Sequence, residues 1–191
     1  MHTMATRSLR KSVLQVASAT AVLLLIPLVA MQFTEEVNWT SMDFVVAGFL
    51  LFGSGMAYVL VARSTTRLAG RAAACIAVAA ALMLVWVNLA VGIIGSENNP
   101  ANLMYAGVVA IEVIGIVAAR LRPRGMAYAL AATAVAQALV AVIALAGGLG
   151  ATEPPGRLGI LCLNGFFFAL FAASAWLFQG TARARTRIPA A

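Results

Sequence analysis

"VVAIEVIGIVAARLRPRGMAYALAATAVAQALV", residues Val108–Val140, holds two apolar runs, three arginines between them, and one acid and one amide inside the runs. Both runs continue outward, so apolar segments near 102–119 and 126–147 flank the basic turn. A helix crossing ~30 Å of hydrocarbon at ~1.5 Å per residue needs about 20 mostly apolar residues. The stretch therefore reads as two membrane spans that turn round on the side where Arg120, Arg122 and Arg124 lie.

Four more runs of this kind occur, near 13–33, 43–62, 72–94 and 158–178. The 191 residues are 63% hydrophobic and 10% charged, with mean hydropathy +0.97. A soluble domain is roughly 25% charged, and one this short cannot hide so much apolar surface in a single core. Lipid is the solvent for most of the chain. The expected fold is all-α: a polytopic membrane helix bundle of six transmembrane helices arranged as three helical hairpins. It forms one integral membrane domain over 1–191, with an N-terminal tail 1–12, a bundle 13–178 and a basic C-terminal tail 179–191.

Charge placement sets the orientation. Arg7, Arg10 and Lys11 precede the first span, Arg63, Arg67 and Arg71 follow the second, Arg120, Arg122 and Arg124 follow the fourth, and Arg183, Arg185 and Arg187 follow the sixth. The alternate connections carry Glu35, Glu36 and Asp43, then Glu97, then Glu153 with Arg157. Positive residues stay in the cytoplasm during insertion, so both termini are expected inside. The net charge of +7 then marks topological anchors beside anionic lipid and not a nucleic-acid surface. Lys11 is the only lysine, and the excess of arginine with abundant alanine fits a high-GC bacterial genome, hence a bacterial cytoplasmic (inner) membrane.

The basic start and the run from Val13 to Phe33 could be a signal peptide. The run is longer than a usual signal core and no small-x-small cleavage site follows it, so it reads as a retained helix. "NWT" at Asn38–Thr40 is formally a glycosylation sequon, read here as helix-entry chemistry. Gly48, Gly107 and Gly165 fall near the start of each hairpin's second helix and hint at a triplication.

Several chemistries have no residues to carry them. Cys75 and Cys162 form no metal or disulfide pattern; near opposite faces of the membrane, they read as small buried hydrophobes. The only histidine is His2. Gly53–Gly55 superficially matches the serine motif of rhomboid proteases, but the activating histidine is missing, so Ser54 reads as a small contact residue. No cofactor is expected.

The outer turn "GSENNPANLMY", Gly95–Tyr105, is mostly explained by capping. Gly95 suits a left-handed helix end, Asn99 an N-cap, Pro100 a first helical position, Glu97 the helix dipole and Tyr105 the lipid interface. Asn98 and Asn102 are left over, and Glu97, Asn98, Asn99 and Asn102 together are the outer-loop candidates for ligand binding or for weak binding of a hard cation. "IPLVAMQFTEEVNWTSMDFVVAG" and "VNLAVGIIGSENNPANLMY" resemble boxes of an uncharacterised family of small bacterial inner-membrane proteins. The resemblance covers most of the chain; it implies a polytopic integral membrane protein, with no activity or catalytic residues to carry over.

Within the bilayer, Glu112 stands out, roughly 15 Å into the fourth span among apolar neighbours. An acid there costs roughly 2.5–3.5 kcal/mol on insertion scales, and no arginine or lysine lies at its depth. Gln137, on the fifth span, is the expected partner, with Thr133 one turn away. Asn88 and Asn164 form a second layer on the third and sixth spans. Interhelical bonds among such residues contribute roughly 0.6–2 kcal/mol each, so they serve either as bundle glue or as a proton or ion site. Small-residue ridges, Ala69–Ala73–Ala77–Ala81, Gly53–Ala57 and Ala127–Ala131–Ala134, suit close helix packing or homo-oligomerisation.

Two functional classes follow. One is a non-catalytic accessory or structural protein that binds another membrane protein or lipid. The other is a small transporter or channel with Glu112 as an intramembrane proton or cation site. An enzyme ranks below both, for want of a nucleophile, metal set or redox ligand.

Overall fold

The structure, a computed structural model, describes residues 2–186, with side chains over 9–184. The His2, Arg7 and Arg185 side chains and all of Arg187 lie outside the described residues. Among the described residues every regular element is helical. The six long helices are α1 (His2–Ala30), α2 (Ser41–Arg63), α3 (Leu68–Ala90), α4 (Leu103–Ala118), α5 (Pro123–Ala146) and α6 (Gly156–Thr186), with a 3-10 turn Pro100–Asn102 leading into α4. All six are long and apolar enough to cross a membrane. The chain is a multi-pass membrane protein. The tails expected at 1–12 and 179–191 are largely taken into α1 and α6.

The chain divides into two compact units, Met1–Leu60 and Val61–Ala191. In the first, α1 and α2 run antiparallel. Gly55 lies where a Cβ would come within 2.6 Å of Val16, and Gly48 faces Leu24. The connection is built by local chemistry. Asp43 Oδ2 accepts from Thr40 N at 2.7 Å and from the Thr40 hydroxyl at 2.8 Å, while Asp43 N points back to Thr40 Oγ1. This is a reciprocal capping box, and Trp39 stacks edge-on against Phe44, centroids 5.2 Å apart, as its hydrophobic staple. The "NWT" triplet thus serves helix entry. Gly53 and Ala57 are exposed, with nothing within 4 Å of a Cβ at Gly53, so the expected ridge on α2 is replaced by Gly55.

The second unit is a four-helix bundle. α5 packs extensively on α6 and on α4, α6 packs on α3, and α3 touches α4 only lightly. Its interior is lined with small residues where backbones come close. Gly70, Ala73, Ala74, Ala77 and Ala80 are buried on α3, a face rotated from the expected ridge, since Ala69 is exposed. A Cβ at Gly115 would come within 2.7 Å of Ala129, and one at Gly125 within 2.8 Å of Ala119. These two contacts fix the antiparallel register of α4 and α5. Phe167, Phe171 and Phe178 fill the α6 side of the core, whereas Phe166 and Phe168 are exposed. Cys75 and Cys162 are exposed on their helices, not buried as the sequence suggested. In a chain solvated by lipid, an apolar residue gives no sign of which face it occupies.

α3 ends at Ala90, four residues earlier than the apolar run implies. Gly92 takes φ 75°, which favours glycine and stops the helix. Ile93 and Ile94 then continue as non-helical backbone with their side chains fully buried.

Candidate functional site

Two groups of polar side chains organise the four-helix unit. The first is at its acidic end. Asn99 caps the 3-10 turn, its Oδ1 accepting from Ala101 N at 3.0 Å, with Pro100 at the first position. Asn102 is 6% exposed. Its Oδ1 accepts from Ile93 N at 3.2 Å and Ile94 N at 2.9 Å, and its Nδ2 donates to Ser96 O at 2.8 Å. One side chain thereby satisfies three backbone groups of a loop that leaves helical geometry, groups that would otherwise be costly to bury. Asn88 Nδ2 donates to the Asn102 carbonyl at 3.1 Å, tying the end of α3 to the same point.

Glu153, from the connection between α5 and α6, joins this loop by accepting from Ser96 N at 3.2 Å. Gly95 (φ 67°) and Gly150 (φ 66°) bring the two connections into backbone contact, since a Cβ on Gly150 would lie 2.6 Å from Gly95 N. Asn98 donates to Glu97 at 3.0 Å on the exposed side. A cavity of about 590 Å³ at this end is lined by Val91, Ser96, Glu97, Glu153, Pro155 and Leu163 among others. The four outer-loop candidates are therefore not one constellation. Asn99 and Asn102 shape the backbone, and only Glu97 faces the cavity, with Asn98 bonded to it. Glu153 and Ser96 complete the arrangement; they escaped the sequence reading because they meet from connections 57 residues apart.

The second group lies within the spans. Asn164, 1% exposed on α6, is its hub. Its Oδ1 accepts from Gln137 Nε2 at 2.8 Å, the Tyr105 hydroxyl lies 3.1 Å from Oδ1 and 3.0 Å from Nδ2, and Nδ2 also donates to Ile160 O at 2.8 Å. This ties α4, α5 and α6 together. Tyr105, expected at the lipid interface, is 1% exposed with its hydroxyl in the network. A tyrosine near a helix start suits either place, and only Asn164 on another helix decides it. Separately, Ser174 Oγ donates to Ala73 O at 2.7 Å, binding α6 to α3.

Glu112 belongs to neither group. It is 3% exposed and nine residues past Leu103 on α4, about 13 Å along the helix. The Gly115–Ala129 register places it level with Thr133, whose hydroxyl turns back to Ala129 O at 3.0 Å. Gln137, the partner expected from depth, lies about one and a half turns nearer the acidic end and gives its amide hydrogen to Asn164 instead. Among the described residues, Glu112 Oε2, Gln137 Oε1 and Asn88 Oδ1 are buried without a hydrogen-bond partner. Gln137 and Asn88 each make one bond through their nitrogen; for Glu112 no partner is resolved. What the arrangement offers chemically is a lone carboxyl in an apolar layer, with an amide oxygen on the neighbouring helix above it. No protein-family model, curated protein or solved structure matches the chain, so these residues are read on their own geometry.

Proposed function

We propose that this multi-pass protein resides in a bacterial cytoplasmic membrane with both chain ends inside, and that its four-helix unit handles a proton or small monovalent cation at Glu112. The orientation is supported by the alternation of arginine-rich and acidic connections along the sequence, and the setting by the resemblance of its boxes to a family of small bacterial inner-membrane proteins. The observation that carries the functional reading is the Glu112 carboxyl, 3% exposed with an unpartnered oxygen, whereas the structural polar residues around it are tied to one another. An acid inside a membrane span is expensive and is ordinarily kept for transport or proton relay.

The test is reconstitution of the full chain in vesicles carrying an internal pH dye. Wild type is expected to pass protons or a monovalent cation, and Glu112→Gln to abolish the signal while inserting normally. A hydrophobic carbodiimide, which attacks carboxyl groups in apolar surroundings, is expected to label Glu112 ahead of the other five acids. Equal ion flux from Glu112→Gln vesicles overturns the reading. A reporter fused in the Ala151–Arg157 connection and found inside overturns the orientation.

A second reading, an accessory protein that binds another membrane protein or lipid and catalyses nothing, is favoured by the Asn164 network. There the polar groups tie helices together as glue does. A stoichiometric companion recovered after gentle purification, with silent vesicles, selects it.

A further inference from the structure

We infer that the basic end of the four-helix unit binds a phosphate group, supplied by an anionic phospholipid headgroup, in the cavity between the start of α5 and the end of α6. That cavity measures about 550 Å³ and is lined by Arg122, Arg124, Tyr128, Gln179, Ala182 and Arg183 among others. The Arg122 and Arg124 side chains are exposed, and neither guanidinium has a partner among the described residues. The unit holds three acids. Glu97 and Glu153 are at the opposite end, where Glu153 ties the two connections together, and Glu112 is buried within α4. Among the described residues, Arg122 and Arg124 have no carboxylate side chain of the unit at their own end, and a ligand that fits them must bring negative charge.

The walls are held in place, which separates this cavity from a loose cluster of anchors. The turn from α4 to α5 is tight enough to put two consecutive non-glycine residues in the left-handed region, Arg120 at φ 47° and Leu121 at φ 56°, at a cost of roughly 1–2 kcal/mol each. Gly125 then sits against Ala119 with no room for a Cβ. On the other wall, Arg67 Nη2 donates to the Ala184 carbonyl at 3.1 Å and pins the end of α6. Guanidinium groups match phosphate oxygens in paired hydrogen bonds. The first turn of α5, opening with Pro123, adds backbone amides that no helical carbonyl takes up and the positive end of the dipole. Tyr128 and Gln179 supply further donors. The exposed Tyr128 ring and Ala182 give an apolar flank suited to glycerol and the first acyl carbons. A cavity at the end of spanning helices opens at headgroup level, where basic pockets between helices take anionic lipid.

The experiment is native mass spectrometry of the detergent-purified full chain with phosphatidylglycerol, with phosphatidylcholine as comparator. Wild type is expected to retain one phosphatidylglycerol. Arg122→Gln with Arg124→Gln is expected to weaken retention at least about tenfold. Ala182→Trp fills the cavity, leaves every charge in place and is expected to do the same. Lys11→Gln with Arg71→Gln removes two charges elsewhere and is expected to have no effect. A melting curve for each protein checks folding, and if the double arginine variant does not fold, Ala182→Trp decides. Persistence of the adduct in millimolar inorganic phosphate assigns the phosphate to lipid; displacement assigns it to a soluble source. Equal retention by all four proteins overturns the proposal, as does equal loss in the Lys11–Arg71 control or phosphatidylcholine held as firmly as phosphatidylglycerol.

Discussion

Ten residues separate Asn102 from Glu112, and both side chains are buried in the same four-helix unit. At Asn102 both polar atoms of the carboxamide are engaged: two amides enter its oxygen and its nitrogen reaches a carbonyl. At Glu112 one oxygen has nothing. Burial alone does not distinguish a polar residue that holds a fold together from one kept for another purpose; what its atoms touch does. A satisfied group lowers the energy of the folded state, and an unsatisfied one raises it. The two should therefore respond to removal with opposite signs.

Substitution can break that contrast or sharpen it. The largest loss is expected from Asn102→Ala, which strands two amides and a carbonyl of the Ile93–Ser96 loop. At the lower part of the roughly 1–3 kcal/mol range for each stranded group, a total of about 3–5 kcal/mol should lower the melting temperature in detergent by about 10 °C. Asn164→Leu comes next, since it removes the ties to Tyr105 and Gln137 and should cost about 2 kcal/mol, read from the same melting curves. Ser174→Ala removes one bond between α6 and α3 and should cost about 1 kcal/mol. Glu112→Leu should be neutral or stabilising by up to about 1 kcal/mol, because it replaces a buried acid with an apolar side chain, while any ion signal in vesicles disappears. A clear drop in stability at Glu112→Leu would show that the carboxyl is structural, and the contrast with Asn102 would collapse.

The six spans could be read directly because hydrocarbon thickness fixes a length and arginine spacing marks the connections. Asn99 and Pro100 could be read because capping is decided within three or four residues; Gly95 is left-handed as expected, but it lies in the loop five residues past the end of α3, where Gly92 has already stopped the helix. Where the reading went astray, the missing quantity was rotation or distance along the chain. Counting depth gave Gln137 to Glu112, but the Gly115–Ala129 contact sets a register that counting from uncertain span ends cannot supply. Asn102 looked left over because its partners lie eight and nine residues back in a loop whose apolar residues looked helical. Cys75 and Ala69 read as interior in the sequence yet are exposed, because a lipid-facing surface is as apolar as a core. Glu153 reads in the sequence only as an acid marking an outer connection, since its bonding role exists only once two connections meet.

Gly95 and Gly150 press backbone to backbone, and this contact works as a latch between the two connections at the acidic end. Its strength is graded by a single atom, because even one methyl at Gly150 must displace Ile94 or Gly95. The fully buried Ile94 stands directly against it. An alanine at Gly150 would therefore have to part the two connections, without altering any residue within the spans.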